Sequence, residues 1–253
     1  MPIQQICTVI QAEHLNADAI SLTLEAGELA RQAQVGQFVH IKCGHSRLLR
    51  RPISICDVEG ELLRVVFEVR GEGTEWLSRR EVGDGLDVLG PLGHGFHLEE
   101  GGKYLVVGGG IGVPPMLYTA KTAGASTVAC LGFRSAEKAM LLSEFEAVCD
   151  HVAVTSDDGT LGAHGFVDAL VREELAKEHS FTAVLACGPK LMLRSVAKAA
   201  EEAGVACQVS MEERMGCGVG ACLVCACKTA DGHYKHACKD GPVFDAKEVD
   251  WNE

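Results

Sequence analysis

The strongest constraint on the fold lies near the end of the chain, where cysteines crowd a glycine-rich segment. Four of them, Cys217, Cys222, Cys225 and Cys238, follow the pattern C-x4-C-x2-C, with twelve residues before the last cysteine. This is the plant-type ligand spacing of a [2Fe–2S] cluster. Glycines around the first cysteine let a tight loop bend without side-chain clashes. The spacing therefore predicts a [2Fe–2S] site held by these four thiolates.

Other uses of the cysteines stay open at this point. A structural zinc site also takes four thiolates, but usually from two paired knuckles, whereas Cys238 stands alone. A disulfide scaffold is typical of short secreted chains, and here twelve cysteines are spread over 253 residues. Cys227 is a fifth cysteine of the segment, and it is either an alternative ligand or, more simply, a buried thiol.

Charge and hydropathy exclude several classes of protein. The net charge of -12 argues against nucleic-acid partners and against an anionic membrane surface, because both need a basic face. No stretch approaches the roughly 18 apolar residues of a membrane span. The N-terminus lacks the basic start and apolar core of a signal peptide. We therefore expect a cytoplasmic protein with no membrane partner.

The pattern of apolar residues predicts a multidomain fold, α/β plus β. From Gln4 to Leu89, short β-type runs with one helical candidate at 74–80 predict an antiparallel barrel or sandwich, which we assign to residues 1–99. Strands then alternate with helices, which predicts a doubly wound parallel sheet of about five strands over residues 100–209. The cysteine-rich segment forms a small third domain, residues 210–253.

A glycine turn joins the first strand of the predicted sheet to its helix. It contains Gly108, Gly109, Gly110 and Gly112. In a doubly wound sheet this turn receives a nucleotide pyrophosphate, because glycines let the phosphates approach the backbone. The standard fingerprint is not met, since Val113 stands where glycine or alanine is expected. A glycine-rich turn without a ligand is the alternative.

A second motif, Cys187-Gly188-Pro189, ends a later strand at the edge where such sheets bind ligands. Cys187 is a candidate to line a nicotinamide site. By itself it is equally an ordinary small buried residue.

In the predicted barrel, the run from Arg51 to Ser54 offers a cation, a rigid turn and a hydroxyl. Gly73 and Thr74 lie at the start of the short helical candidate. A cation together with a Gly-Thr helix start suits a diphosphate. Each motif alone is weak, because such tetrapeptides are common in turns.

Taken in order, the motifs RPIS, GEGT, GPLGHGF, GGGIGVPPM, CGP, MEERMGCGVGACLVC and ACKDGPVF resemble one family over essentially the whole chain. That family comprises the electron-transfer subunits of NAD-dependent (type B) dihydroorotate dehydrogenase, within the ferredoxin reductase-like superfamily. The resemblance implies an FAD-binding β-barrel, an NAD-binding α/β domain and a [2Fe–2S] domain. It also implies an FMN-containing catalytic partner that oxidises dihydroorotate, joined in a heterotetramer of two copies of each subunit.

The resemblance also assigns residues and a direction of electron flow. It implies that electrons pass from the partner's FMN through the cluster and FAD to NAD+, in pyrimidine biosynthesis. NAD rather than NADP follows from the resemblance alone. The superfamily often has an aromatic residue where Ile53 stands. The residues that the resemblance assigns to FAD are Arg51, Pro52, Ile53, Ser54, Gly73 and Thr74, with Phe67, Glu68 and Val69 beside the flavin.

Two alternatives to this function remain at the sequence level. One is the small subunit of another reductase of the superfamily, such as a sulfide dehydrogenase or a ferredoxin:NADP oxidoreductase. The other is a zinc-binding, redox-sensing regulator, which would be colourless where flavin and [2Fe–2S] absorb visible light. No residue of the chain suits orotate binding, which favours a role in electron transfer.

Overall fold

The computed structural model describes residues 2–44, 48–124, 126–177 and 180–252. Six antiparallel strands build the N-terminal part: β1 (Ile3–His14), β2 (Ala19–Glu25), β3 (Phe38–Ile41), β4 (Arg51–Glu59), β5 (Leu62–Glu68) and β6 (Gly85–Leu92). They close into a barrel in the order β1-β2-β5-β4-β3-β6. The short β-type runs predicted between Gln4 and Leu89 correspond to these strands, and the barrel is confirmed.

Alternation along β3 shows how the barrel wall is built. Val39 and Ile41 are fully buried in the core inside the barrel. Phe38 instead packs in a core shared with the α/β sheet and the cysteine-rich segment. Successive strand residues face opposite sides of a sheet. The outer face of β3 is therefore covered by the rest of the protein, not by solvent.

The barrel part also carries two short helices, α1 (Gly27–Gln32) and α2 (Glu72–Ser78). The prediction of a single helix, at 74–80, was incomplete because it missed α1. With only 6 residues, α1 is too short for a helical period to be visible in the sequence.

The second part is a sheet of seven strands flanked by helices. Its strands are β7 (Tyr104–Gly109), β8 (Thr127–Phe133), β9 (His151–Ser156), β10 (Ala163–His164), β11 (Ala183–Cys187), β12 (Ala206–Ser210) and, from the end of the chain, β15 (Val243–Asp245). The helices are α3 (Val113–Ala123), α4 (Leu142–Val148), α5 (Val167–Lys177) and α6 (Lys190–Glu202). The sheet order is β10-β9-β8-β7-β11-β12-β15.

The five strands predicted for this sheet are present and parallel, and two further strands lie at its edges. β10 has 2 residues, both exposed, so no apolar run marks it in the sequence. β15 pairs with β12 in the antiparallel direction. The chain order reverses between β7 and β11, which are neighbours in the sheet. Such a switch point is where doubly wound sheets bind ligands.

The cysteine-rich segment contains a small hairpin of β13 (Ala226–Lys228) and β14 (Tyr234–His236). Short 3-10 helices occur at Gly110–Gly112, Ala136–Lys138 and Ala246–Glu248. Gly241 follows the hairpin. Its carbonyl accepts a hydrogen bond of 2.6 Å from the N–H of His94, which lies just beyond the end of β6. The segment is thus bonded both to the barrel and, through β15, to the α/β sheet.

Candidate functional site

The structure brings together the two barrel motifs that the sequence places apart. Arg51 begins β4, and Gly73 lies in the first turn of α2. A Cβ added to Gly73 would stand 2.3 Å from Nε of Arg51, so the guanidinium lies directly against this glycine. Nη1 of Arg51 donates to the carbonyl of Leu49 at 2.7 Å. Because this carbonyl is neutral, it does not cancel the positive charge of Arg51. That charge is suited to bind a diphosphate.

Thr74 is committed to a local hydrogen-bond network. Its Oγ1 accepts from the N–H of Arg70 at 2.9 Å and from the N–H of Gly71 at 3.2 Å, and donates to the Gly71 carbonyl at 3.0 Å. These bonds fix the loop that leads into α2. Thr74 therefore shapes the turn around Gly73, whatever further contact its hydroxyl makes.

The residues expected beside the flavin differ in where their side chains point. Ile53 and Phe67 are buried in the core inside the barrel. Glu68 pairs with Arg70 at 2.8 Å, and Val69 is 38% exposed. The side chains of Ile53 and Phe67 thus support their strands from within, and ring stacking on Ile53 has no support in this arrangement. Pro52 and Ser54, which alternate with Ile53, are half-buried on β4.

The glycine turn and the Cys-Gly-Pro motif form one cradle at the switch point. Gly108 lies opposite Cys187 in the pairing of β7 with β11. A Cβ on Gly112 would stand 2.4 Å from the carbonyl oxygen of Cys187, and a Cβ on Gly188 would stand 3.3 Å from Cα of Gly109. Only glycines allow the two turns to approach this closely.

The remaining residues of this cradle also have clear places. Gly110 has φ +54, a left-handed conformation, with nothing within 4 Å of an added Cβ. Pro189 immediately precedes α6, and α3 has prolines at its start, as predicted from the sequence. Burial raises the pKa of the Cys187 thiol to about 12, so it is a neutral group beside the cradle.

The four cysteines of the predicted cluster site approach one another in two pairs. We call residues 216–225 the cysteine loop. All four thiols are free; that of Cys217 lies within hydrogen-bonding reach of Cys222, and that of Cys238 within reach of Cys225. The N–H of Gly220 donates to Sγ of Cys238 at 3.1 Å, which ties the loop to its last cysteine.

Backbone donors prepare the first pair for metal binding. The N–H groups of Val219, Ala221 and Cys222 point to Sγ of Cys217 at 3.4, 3.2 and 3.4 Å. Burial alone would raise the pKa of this thiol, but the backbone donors and the neighbouring thiol outweigh it and lower that pKa to about 6. The thiolate is the form that ligates metal, so the loop favours the ligating state of Cys217.

The paired arrangement fits the two irons of a [2Fe–2S] cluster. In a [2Fe–2S] cluster two thiolates bind each of two irons, whereas zinc draws four ligands around one point. Two pairs of thiols fit the cluster. Cys227 lies buried on β13, and burial raises the pKa of its thiol to about 12.

His40 belongs to this site although the sequence reasoning missed it. It is fully buried on β3, and a Cβ on Gly218 of the cysteine loop would lie 2.6 Å from its Nδ1. Burial, and then the charge of Arg50, lower the pKa of His40 to about 4, while the nearby Cys217 carbonyl acts in the opposite direction. The signal in the sequence is a polar residue between Val39 and Ile41, at the position that alternation directs out of the barrel.

Comparison with known proteins identifies the family. Residues 212–250 match the family described as the iron-sulfur cluster binding domain of dihydroorotate dehydrogenase B. A dihydroorotate dehydrogenase B (NAD(+)) electron transfer subunit of Geobacillus thermodenitrificans is 40% identical over 255 residues, covering 96% of both chains. The subunit of the same name from Caldanaerobacter subterraneus is 43% identical over 218 residues, covering 85% of this chain and 86% of the relative.

The chain belongs to the family of dihydroorotate dehydrogenase B electron transfer subunits. Membership confirms the predicted oxidoreductase role, electron transfer for a dihydroorotate dehydrogenase. Together with the fold, it confirms the predicted cofactors, FAD, a [2Fe–2S] cluster and NAD. The family name also implies a catalytic partner.

Solved structures place this electron transfer subunit in the expected superfamily. A structure of an NADH-dependent reduced ferredoxin-NADP oxidoreductase, studied for flavin-based electron bifurcation, superposes with a TM-score of 0.88 at 32% identity, covering 98% of this chain and 91% of the other. The ferredoxin reductase of carbazole 1,9a-dioxygenase shares the fold, with a TM-score of 0.68 at 21% identity, covering 81% and 67%. None of the helices in the described ranges is long and apolar enough to cross a membrane.

Proposed function

We propose that this electron transfer subunit connects NAD+ to an FMN-containing catalytic subunit in a cytoplasmic heterotetramer of two copies of each. The observation that carries the proposal is the contact between the cysteine loop and the barrel. Gly218 of the loop lies against His40 on β3, and His40 is paired with Pro52 of the FAD motif on β4. The cluster and flavin sites therefore meet at one strand. FAD supplies the chemistry that links hydride transfer at nicotinamide to single-electron transfer at the cluster.

In this proposal each cradle has its own ligand. Arg51 supplies the charge for the FAD diphosphate, and the half-buried Pro52 and Ser54 of β4 lie beside the ring. The glycine turn of β7 and the Cys187 turn of β11 hold the nicotinamide nucleotide at the switch point. FAD is assigned to Arg51, Pro52, Ile53, Ser54, Phe67, Glu68, Val69, Gly73 and Thr74; NAD to Gly108, Gly109, Gly110, Gly112, Cys187, Gly188 and Pro189; the cluster to Cys217, Cys222, Cys225 and Cys238.

The three assignments follow the proposed division of the chain into residues 1–99, 100–209 and 210–253. β15 lies within the third part and pairs with β12 at the border of the second. The third part is thus anchored on its neighbour at the strand edge. Such an anchor holds the cysteine loop at a fixed place relative to the NAD cradle.

The catalytic partner docks, in this proposal, on the cysteine loop. Val219, Leu223 and Val224 are 49%, 61% and 57% exposed, and Cys222 between them is exposed as well. Exposed apolar side chains grouped on one loop mark an interaction site. A partner seated there would bring its own redox centre close to the ligands, which electron transfer requires.

The experiment is reconstitution of the complex with a dihydroorotate dehydrogenase catalytic subunit, followed by a visible spectrum and an assay of dihydroorotate-dependent NAD+ reduction. The unaltered chain should show flavin and cluster absorbance and support the reaction. Cys222→Ser should abolish the cluster spectrum and the coupled reaction, yet keep NADH-to-FAD reduction, because flavin and nicotinamide bind elsewhere.

Cys227→Ser is the matched control, because Cys227 shares the segment but neither thiol pair, and it should keep both the cluster and the reaction. If Cys222→Ser retained the full cluster signal, the ligand assignment would be wrong. A coloured chain that reduced another acceptor from NADH, but never coupled to dihydroorotate oxidation, would contradict the proposed partner.

A further inference from the structure

His40 is the one buried side chain of the described residues whose polar atoms make no hydrogen bond of normal geometry. Neither Nδ1 nor Nε2 has such a bond within those ranges, although the backbone of Cys217 lies close enough to act on the ring. The residue is 0% exposed, so water does not satisfy these atoms at the surface. A buried polar group that loses its hydrogen bonds to water without gaining others destabilises the folded state. Such a group calls for a specific explanation, and redox or ligand sites are where these groups occur.

The imidazole lies directly beneath the cysteine loop. A Cβ on Gly218 would stand 2.6 Å from Nδ1 of His40 and 3.2 Å from Cδ1 of Leu92. Gly218 has φ +74, a conformation that side chains with a Cβ rarely adopt. Glycine is therefore required at this position for two reasons, the backbone conformation and the contact with the ring. The loop next to Cys217 follows the shape of His40.

The backbone of His40 is held rigidly against the barrel. Nη1 of Arg50 donates to the His40 carbonyl at 3.3 Å and to the Asp87 carbonyl at 2.9 Å, and Nη2 donates to the Asp87 carboxylate at 2.9 Å. The side chains of this ion pair are only 19% and 22% exposed. His40 is also paired with Pro52 across the β3–β4 ladder. The imidazole is thus fixed relative to the FAD motif.

Building on the proposed function, we propose that His40 is a positioning residue of the electron relay, which holds the Cys217–Gly218 turn against the FAD-binding barrel and thereby sets the reduction potential of the cluster. Nδ1, next to Gly218, is the atom that faces the loop. The residues that follow Gly218 carry the N–H groups that point to Sγ of Cys217. If the turn moves, these N–H···S contacts change with it. Such hydrogen bonds stabilise the reduced, more negative cluster and raise its potential.

The test is redox titration of the cluster by EPR in the full-length chain with FAD, assembled with its catalytic subunit. His40→Leu keeps the bulk of the side chain and removes its nitrogens. We expect the midpoint potential to become more negative and the EPR line shape of the reduced cluster to change. His40→Asn places an amide donor near the position of Nδ1, and its potential should fall between those of His40→Leu and the unaltered protein.

Ile41→Val is the control, because Ile41 is the next residue of β3 but faces the barrel interior. It should leave the cluster potential and line shape unchanged. In all variants the flavin potential and NADH-to-FAD reduction should stay as in the unaltered chain. A shift of the flavin potential with an unshifted cluster would overturn the proposal, because it would place the role of His40 at the flavin.

A double-mutant cycle of His40→Ala and Gly218→Ala tests the contact itself. The added Cβ of Gly218→Ala collides with the imidazole, and removal of the ring relieves that collision, so the two shifts in potential should not add. Additive shifts would overturn the proposal. If the unaltered chain held no cluster, the proposed function would fail as well. A normal cluster with unshifted variants would reject the role of His40 alone.

Discussion

Arg51 and Gly73 lie on different elements but are in direct contact, and that contact limits which substitutions either position tolerates. The guanidinium occupies the space that a side chain at position 73 would need. The glycine thus lets the cation approach the backbone at the start of α2. A Lys at position 51 would keep the charge but lose the planar group that fits against this glycine.

We expect Arg51→Ala to weaken FAD binding by about tenfold to a hundredfold, since a hydrogen bond to a charged group contributes about 1.5–3 kcal/mol. The measurement is the FAD content of the purified chain after gel filtration, with the dissociation constant from titration of the stripped protein. Arg79→Ala is the control, because Arg79 is an exposed cation that directly follows α2 and pairs with Glu75. Equal flavin affinity in both variants would refute the role of Arg51.

At this scale the sequence predicted some residues and missed others for physical reasons. The four cysteines could be proposed as cluster ligands from the sequence, because ligand spacing on a tight loop is local information. His40 was not, because its role arises from contact with Gly218, which is distant in the chain. Burial of the Ile53 and Phe67 side chains inside the barrel likewise depends on strand closure, which the spacing of single motifs does not contain.

Among the elements, the glycine turn of β7 and the Cys-Gly-Pro turn of β11 constrain each other. The sequence placed each at the end of a strand, and parallel strands bring such ends to one edge. The sequence did not predict that the two turns are neighbours, because neither motif determines the order of the strands in the sheet. The structure makes them neighbours across the switch point, where a single added methyl group would separate them.

Gly112→Ala should raise the KM for NADH severalfold or more while leaving flavin and cluster content intact. The new Cβ would stand 2.4 Å from the Cys187 carbonyl oxygen, so the two turns must move apart. Gly71→Ala is a matched control, because nothing lies within 4 Å of a Cβ there. Steady-state NADH oxidation with an artificial acceptor provides the measurement. An unchanged KM in Gly112→Ala would remove the nucleotide from this turn.

β15 joins the third part of the chain to the sheet of the second, which the predicted five-strand sheet did not include. The strand has 3 residues, too few for an alternating pattern to be recognised. Its Phe244 is buried and packs in the core that also contains Cys225 and Cys238. The strand therefore supports these two cysteines as well as forming an edge of the sheet.

We expect Phe244→Ala to lower the free energy of unfolding by about 3–5 kcal/mol, as is usual when a buried aromatic side chain is truncated. Cluster retention should fall in parallel, because the same core contains two of the proposed ligands, Cys225 and Cys238. Phe166→Ala is the control, since Phe166 is 71% exposed, and its effect should stay within about 0.5 kcal/mol. Urea denaturation followed by circular dichroism measures the free energy of unfolding of both variants. Equal stabilities would show that β15 does not support the core.

In the complete subunit, the arrangement of the sites determines which surface a redox partner can bind. The proposed NAD cradle lies at the carboxyl ends of the inner strands β7 and β11, and the proposed FAD motif lies on the barrel. The cysteine loop carries exposed apolar residues. A surface of this kind differs from the rest of a chain whose net charge is -12. Association through it would depend on burial of apolar area more than on charge, and salt screens only the latter.

Leu223→Glu should therefore weaken assembly with the catalytic subunit at least tenfold, because it places a charge in the centre of an apolar contact. Leu223 has φ +59, and glutamate in this conformation would be strained to a similar degree. The substitution therefore tests polarity and not backbone conformation. Val82→Glu is the control, since Val82 is 68% exposed on the barrel, away from the loop. The complex of the unaltered chain should persist in 0.5 M salt, as measured by analytical ultracentrifugation. Its dissociation by salt, with Leu223→Glu binding normally, would show that charged surfaces form the interface and that the cysteine loop lies outside it.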